Sequence, residues 1–510
     1  MVQIATTIDC KRLLRMWSLC ELTHPNSKKS SWWSTIFTLF SSHYLSTVVG
    51  FGGNIVLARL LTPDDFGIYT LANSIFILVF MFAGFGSQES IIQNRDVPLD
   101  KLVPTAYWSS LGIALSFSSI AAMTAWIVRD IYSASVPGIV VMLSCVAFFR
   151  SLGEVYGSLL IRRMEFRGLA IFDLIANLLS VSLAIMVAVV FEIGMWALVV
   201  RDAVAVFIKV FANIYLAKYS VKFVFDLPAA SAIWKFGWKL MVNRISEVVY
   251  GYVDNLVIGA VWGSVMVGYY GFAYRLGFLG YQFIQAAMQP LLLSVSAELQ
   301  HTTDKLKIVV DTLFYWLFRA AGLCMLLVIF LGKDMVVLIY GSTWATSGTL
   351  FQSMALFLGI LPIHEAVRFI LLGSGHIDRV IQSRFIMLAF YTVMLVFSVA
   401  LGDIMIVVVA ITLSLLLSTC LMFYQLGKII RISWSFLLCN TFTVLGVTWG
   451  AMWLLVPLIT SNSLVYRIVM LGLATCLVYI GMLIVLEYAV IERQVKQILA
   501  LRHRHQGEAV

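Results

Sequence analysis

Charge is scarce in this chain. Of 510 residues only 12% are Asp, Glu, Lys or Arg, against roughly 25% in soluble domains. Hydrophobic residues make up 61%, more than a water-soluble core of this size could hide. Proline is also rare, with nine in all, and apolar runs of about 20 residues recur from Thr35 to Tyr488, each long enough to cross a bilayer as a helix. The runs are too long and too continuous for the alternating pattern of barrel strands. Cysteines stand at 10, 20, 145, 324, 420, 439 and 476, a spacing that suggests neither a zinc site nor a disulfide framework. No nucleotide-binding loop occurs, so direct coupling to ATP is not expected. "PIHEAVRF" (362–369) lacks the second histidine of a zincin, so no metal site is expected. The first 31 residues carry Lys11, Arg12, Arg15, Lys28 and Lys29 but no long apolar core, so no cleavable signal peptide is expected.

What is present reads as an all-α polytopic membrane protein of about fourteen transmembrane helices, since a bilayer forces each segment to satisfy its own backbone. The breakers between spans are legible: "TPDD" (62–65) joins a proline to N-capping acids, and "GSGH" (373–376) stops a helix. Lysine and arginine crowd one set of connections, among them Arg162, Arg163, Lys218, Lys222, Lys305, Lys307, Arg379 and Lys428. The opposite set holds only Arg59, Arg129, Lys333 and Arg467. This asymmetry predicts that both termini are cytoplasmic and that the number of spans is even. The net charge of +9 then reads as cytoplasmic-loop charge, not as a nucleic-acid surface.

An internal repeat organises the spans. "NIVLARLLTPDDFGIYTLA" (54–72) aligns without a gap on "NLVIGAVWGSVMVGYYGFA" (255–273), sharing Asn54/Asn255, Val56/Val257, Gly67/Gly268, Tyr69/Tyr270 and Ala72/Ala273. The copies fall on spans one–two and seven–eight, so the halves point the same way, as in parallel-repeat transporters. The expected organisation is a basic cytoplasmic tail (1–33), a six-helix lobe (34–217), a cytoplasmic linker (218–233) and a second six-helix lobe (234–431). Two additional helices (432–490) and a cytoplasmic tail (491–510) follow.

"LARLLTPDDFGIYTLANSIFILVFMFAGFGSQESIIQ" (57–93) resembles the second-helix region of Wzx-type polysaccharide flippases. These belong to the multidrug/oligosaccharidyl-lipid/polysaccharide exporter superfamily. "WKFGWKLMVNRISEVVYGYVDNLVIGAVWGSVMVGYYGFAYRLGFL" (234–279) and "SLLIRRMEFRGLA" (158–170) are similar to the same family, and the likeness covers roughly residues 35–430. The resemblance implies a non-enzymatic flippase in the bacterial inner membrane. It would move undecaprenyl-diphosphate-linked oligosaccharide repeat units across the bilayer, for an exopolysaccharide, capsule or O-antigen, by alternating access between two lobes. It also implies partners in a polysaccharide polymerase and chain-length or export proteins. A drug/cation antiporter of the same superfamily is an alternative. A membrane polymerase or ligase is another, disfavoured because every expected outer loop is short.

A diphosphate suits arginine, whose planar fork donates two hydrogen bonds. Intramembrane charges are costly and need a reason. Arg275 and Arg319 have no acid within a turn and are the leading substrate candidates. Arg244, Gln282, Gln285, Arg150 and Arg368 are further candidates. Local ion pairs compete for three of these arginines: Arg150 with Glu154, Arg244 with Glu247, and Arg368 with Glu365. Arg244, Glu247, Gly251 and Asp254 form one stripe of span seven, and Arg275, Gln282, Gln285 and Gln289 one stripe of span eight. These stripes read either as cavity lining or as interhelical hydrogen bonding. Asp254 and Glu247 are the candidates for ion coupling to H⁺ or Na⁺, with no other cofactor. An arginine partner for Asp254 is the competing expectation.

Overall fold

The computed structural model describes residues 32–83, 86–438, 441–459 and 463–507; the basic tail 1–31 lies outside the described residues. Among these there is no strand, only helix and short connection. The first lobe comprises α1 (Trp32–Leu60), α2 (Pro63–Phe80), α3 (Ser87–Gln93), α4 (Leu99–Ile127), α5 (Val136–Arg162), α6 (Phe166–Val190) and α7 (Gly194–Ala217). There follow α8 (Leu227–Leu299), α9 (Thr303–Tyr340), α10 (Ala345–Ser353), α11 (Ala355–Gly373), α12 (Ile377–Leu401) and α13 (Ile404–Gly427). The chain closes with α14 (Trp434–Leu438), α15 (Thr441–Leu455) and α16 (Leu464–Gly507).

Eleven of the described helices are long and apolar enough to cross a membrane. To these are added α1 and α7, the latter interrupted by Arg201, Asp202 and Lys209. Gly263, at φ +82°, breaks α8 into two crossing arms. Only a residue without Cβ adopts that backbone freely. Counting α1, α7 and both arms of α8 with the others gives fourteen helical segments of the kind the sequence led one to expect. Large apolar side chains are exposed on its flanks, among them Phe211, Val393, Val396 and Leu477. In water this would be unstable; against lipid tails it costs nothing.

Local chemistry explains the sharper turns. Thr62 caps α2 with its hydroxyl on the Asp65 N–H, Asp65 returns a bond to the Thr62 N–H, and Pro63 opens the helix. This is a capping box. Asp65 also accepts the Met195 N–H at 3.1 Å, which ties the starts of α2 and α7 together. At the other end of the bundle Asp226 caps α8 through the Ala229 N–H at 3.0 Å and pairs with Lys101 at 3.2 Å. That N–H, and then the ammonium, hold the Asp226 carboxyl below the usual range.

The lobes meet where the repeat is strongest. A Cβ on Gly67 would lie 1.8 Å from the Ser264 carbonyl oxygen, and one on Gly268 would lie 1.9 Å from that of Pro63. Ser264 occupies in the second copy the place of Pro63 in the first. The contact is thus reciprocal, and the local twofold passes between the two glycines. Around it the same end of the bundle is sealed. Ser264 donates to Asp64, the Trp344 indole donates to Ala58 O at 2.7 Å, and Arg59 donates to Leu338 O and Ile339 O at 2.9 Å.

Candidate functional site

At 1.5 Å per residue, Asp254 and Arg275 sit roughly 14 and 18 Å along their helix arms from Gly263. A hydrocarbon core is about 30 Å thick, so both lie near its middle. In parallel-repeat transporters substrate and coupling ion are handled at this depth.

Two polar centres occupy the level, one in each lobe, and the repeat builds both. In the first lobe Tyr69 donates to Asp202, and Asp202 is paired with Arg201 at 3.0 Å. Arg201 also donates to Asn54 Oδ1 at 2.9 Å. In the second lobe Tyr270, the counterpart of Tyr69, donates to Asp254 at 2.6 Å. Asn255, the counterpart of Asn54, donates its amide to Ser74 at 3.1 Å across the seam. Its Oδ1 is buried with no hydrogen-bond partner among the described residues. Asp254 is 3% exposed, and among the described residues no cation pairs with it. Tyr250, Tyr274 and Tyr391 lie within its electrostatic reach. The expected alternative, an arginine partner for Asp254, is therefore not what the fold provides. A buried carboxylate without a cation needs a proton or a bound ion to remain there.

Arg275, on the second arm of α8, stands beside the first-lobe centre. It is exposed to the interior space and touches Thr70 Oγ1 at 3.4 Å. Tyr69, Arg201, Asp202 and Tyr252 are all within its electrostatic reach. No carboxylate is fixed to it by an ion pair among the described residues. Its fork is free to take two acceptor oxygens, the requirement of a phosphate.

Arg319 is different: the acid lacking within a turn of it on its own helix is supplied by a distant one. It is 4% exposed and Glu487, on α16, is 1% exposed. The two form a two-pronged pair at 2.6 and 2.7 Å. Tyr315 donates to the same carboxylate at 2.7 Å and its ring lies 3.7 Å from the guanidinium. Tyr479 of α16 donates to Arg319 O at 2.8 Å. This cluster joins the last crossing helix to α9. The acid was missed because it is distant in sequence.

The remaining candidates divide. Arg150 pairs with Glu154 at 2.7 Å yet stays 63% exposed. Arg368 pairs with Glu365, and both are nearly buried. Glu247 turns to Arg384 of α12 at 2.8 Å, a partner that sequence proximity to Arg244 did not suggest. Arg244 and Gln282 are exposed and Gln285 is half-buried. Each is roughly 28 Å or more along its arm from Gly263, nearer the basic end than the middle. A second network missed in the sequence links Lys209 to Asp173 at 2.5 Å, with Ser46 bonded to Asp173 and Asn177. Its signal was the pair of charges on consecutive spans. No cluster of three His, Cys, Asp or Glu suited to a metal occurs among the described residues.

Comparisons with known proteins agree with this architecture. The lipid II flippase MurJ, in an inward closed conformation, superposes with a TM-score of 0.72 at 12% identity, over 89% of this chain and 99% of its own. An inward-facing multidrug resistance MATE transporter gives 0.56 at 14% identity, over 75% and 95%. At these identities the likeness is one of fold. In sequence, the succinoglycan biosynthesis transport protein ExoT of Rhizobium meliloti is 24% identical over 60% of this chain. The match spans 62% of that relative's length. The lipopolysaccharide biosynthesis protein WzxC of Escherichia coli is 21% identical over 68% of this chain and 70% of its own. The family model described as polysaccharide biosynthesis protein matches residues 56–348. That is more than half of the sequence, and the chain belongs to the polysaccharide biosynthesis protein family.

Proposed function

We propose that this protein flips a lipid-linked oligosaccharide across the bacterial inner membrane by alternating closure of its two lobes, with both termini and the segment 218–233 on the cytoplasmic side. The observation that carries the reading is Arg275. It is an arginine at mid-membrane depth, exposed, on the second lobe's α8 and within reach of the first lobe's Tyr69–Asp202–Arg201 centre. Such a group fits a diphosphate whose lipid tail stays in the bilayer. The seal at Gly67, Gly268 and Trp344 closes the opposite, periplasmic end. Membership of the polysaccharide biosynthesis family and the names of ExoT and WzxC support the substrate class.

Coupling runs through Asp254, which takes up H⁺ or Na⁺ when the interior faces one side and releases it when the lobes rock. The drug/cation antiporter reading is the alternative; Asp254 would suit it as well, but Arg275 and membership of the polysaccharide biosynthesis family favour an anionic lipid-linked sugar. The test is a vesicle assay with the purified chain and a fluorescent undecaprenyl-diphosphate oligosaccharide. Appearance of label on the far leaflet, absent with Arg275→Ala protein, supports the reading. Equal rates in protein-free vesicles overturn it.

A further inference from the structure

An apolar groove of about 810 Å³ lies where the linker leaves the first lobe, with Trp108, Gly112 and Phe117 of α4 on one wall and Phe225, Trp234 and Lys235 on the other. Its volume is within the roughly 300–1,000 Å³ of small-molecule sites. The wall on α4 begins about 14 Å from the start of that helix and ends about 27 Å from it. The groove therefore runs from near the basic end of the bundle toward the middle of the bilayer.

Three features bear on its occupant. Gly112 leaves a notch, since a Cβ placed on it meets nothing within 4 Å. The Ser109 hydroxyl, also in the lining, is buried without a hydrogen-bond partner among the described residues. Exposed Lys235 and Lys222 stand at the basic end, the latter beside the groove because its carbonyl accepts the Trp108 indole N–H at 3.2 Å. The linker is fastened over this corner by Phe223 against Trp108 and by the Asp226 N–H on Thr105 Oγ1. Long-stemmed lysines above an apolar slot match a lipid with an anionic head and a chain lying below it.

We infer that this groove, formed where α4 meets the leading turns of α8 at Trp108, Gly112 and Lys235, is the docking site for the isoprenoid chain of a polyprenyl phosphate. The inference rests on the flippase reading and adds where the tail is held while the sugar enters between the lobes. A methyl-branched chain fits a slot with a side notch at Gly112, where a straight acyl chain leaves the notch empty. The wall contributed by α8 belongs to the helix that carries Asp254, so an occupied groove touches both lobes at their junction.

The experiment uses the full chain in nanodiscs and a photoactivatable undecaprenyl phosphate. Label is expected on peptides covering 108–117 and 225–235, and excess unlabelled undecaprenyl phosphate, but not phosphatidylglycerol, competes it away. Gly112→Phe and, separately, Ser116→Phe fill the groove from exposed positions and reduce labelling at least tenfold. Both variants elute as the parent does on size exclusion. Lys235→Gln weakens the phosphate probe about fivefold and leaves a neutral polyprenol probe unchanged. Label confined to other helices, or equal competition by phosphatidylglycerol, overturns the site. If the groove is labelled but the chain flips nothing in vesicles, the lipid site stands and the flippase reading falls; flipping without groove label is the reverse.

Discussion

Gly67 and Gly268 cross backbone to backbone, each facing the residue that opens the other's second helix after the turn, Ser264 and Pro63. Neither tolerates a Cβ without movement of a main-chain carbonyl. A single methyl on either glycine must therefore hold the lobes apart at the sealed end.

The first prediction follows. Gly67→Ala and Gly268→Ala insert normally, at a stability cost of about 1–3 kcal/mol for overpacking. Polymer export falls at least tenfold, because the closed arrangement is disfavoured. A cysteine pair at Asp64 and Ser264, bonded to one another here, crosslinks in the parent and poorly in either variant. Undiminished crosslinking would show that the contact yields elsewhere.

Arg319 and Glu487 make a second, separable prediction. Arg319→Ala leaves a buried carboxylate unpaired and costs about 3–5 kcal/mol, read as lower thermal stability in detergent. The double variant Arg319→Met with Glu487→Leu regains most of it and exports polymer. A stable double variant that no longer exports would return Arg319 to the transport path.

Arg275 is expected to behave in the opposite way. Arg275→Ala unfolds at nearly the parent temperature, because no ion pair is lost, yet export stops. Arg275→Lys restores part of it, since an ammonium keeps the charge without the fork. Wild-type export by the alanine variant removes Arg275 from the substrate site.

Asp254→Asn should keep the hydrogen bond from Tyr270 while deleting the charge. Each charge moved across the membrane gains about 2.3 kcal/mol per 100 mV. The parent's flipping rate should therefore rise with an imposed ion gradient, and the variant's should not. A variant that responds like the parent places coupling in another residue.

The linker carries a pH signature. The Asp226 carboxyl is lowered by the Ala229 N–H and by Lys101. Its contribution is present above the unfolded pKa of about 3.9 and is lost as pH falls through the lower folded value. Protection of the Ala229 amide, its exchange rate relative to that of an unstructured amide at the same pH, should be flat from about pH 5 to 8, fall in stronger acid, and lose that acid dependence in Asp226→Asn.

Much of the fold was legible because the bilayer dictates span length, and because the repeat keeps Asn, Gly and Tyr at one offset. Pairings within one helix were legible too: Arg150 with Glu154 and Arg368 with Glu365 follow from helical spacing. Pairings between distant helices were not. Arg319 looked unpartnered because Glu487 lies on the last crossing helix, and Glu247 turned from its neighbour to Arg384. The repeat marked Tyr69 and Tyr270 but could not say which acid each would hold, since Asp202 is on α7 and Asp254 on the arm of α8 before the Gly263 break. Contact between spans depends on packing, which apolar runs of similar composition do not encode one by one.

The two tyrosine–aspartate centres carry one more consequence. They descend from the same repeat, yet Arg201 gives Asp202 a permanent counter-charge while Asp254 has none within the described protein. The molecule is thus twofold in backbone and unequal in charge: one half holds its acid with an arginine, and the other buries an acid with no cation among the described residues. The two lobes share a fold, but they are not interchangeable, and exchanging their tyrosine–aspartate centres would not give back the same molecule.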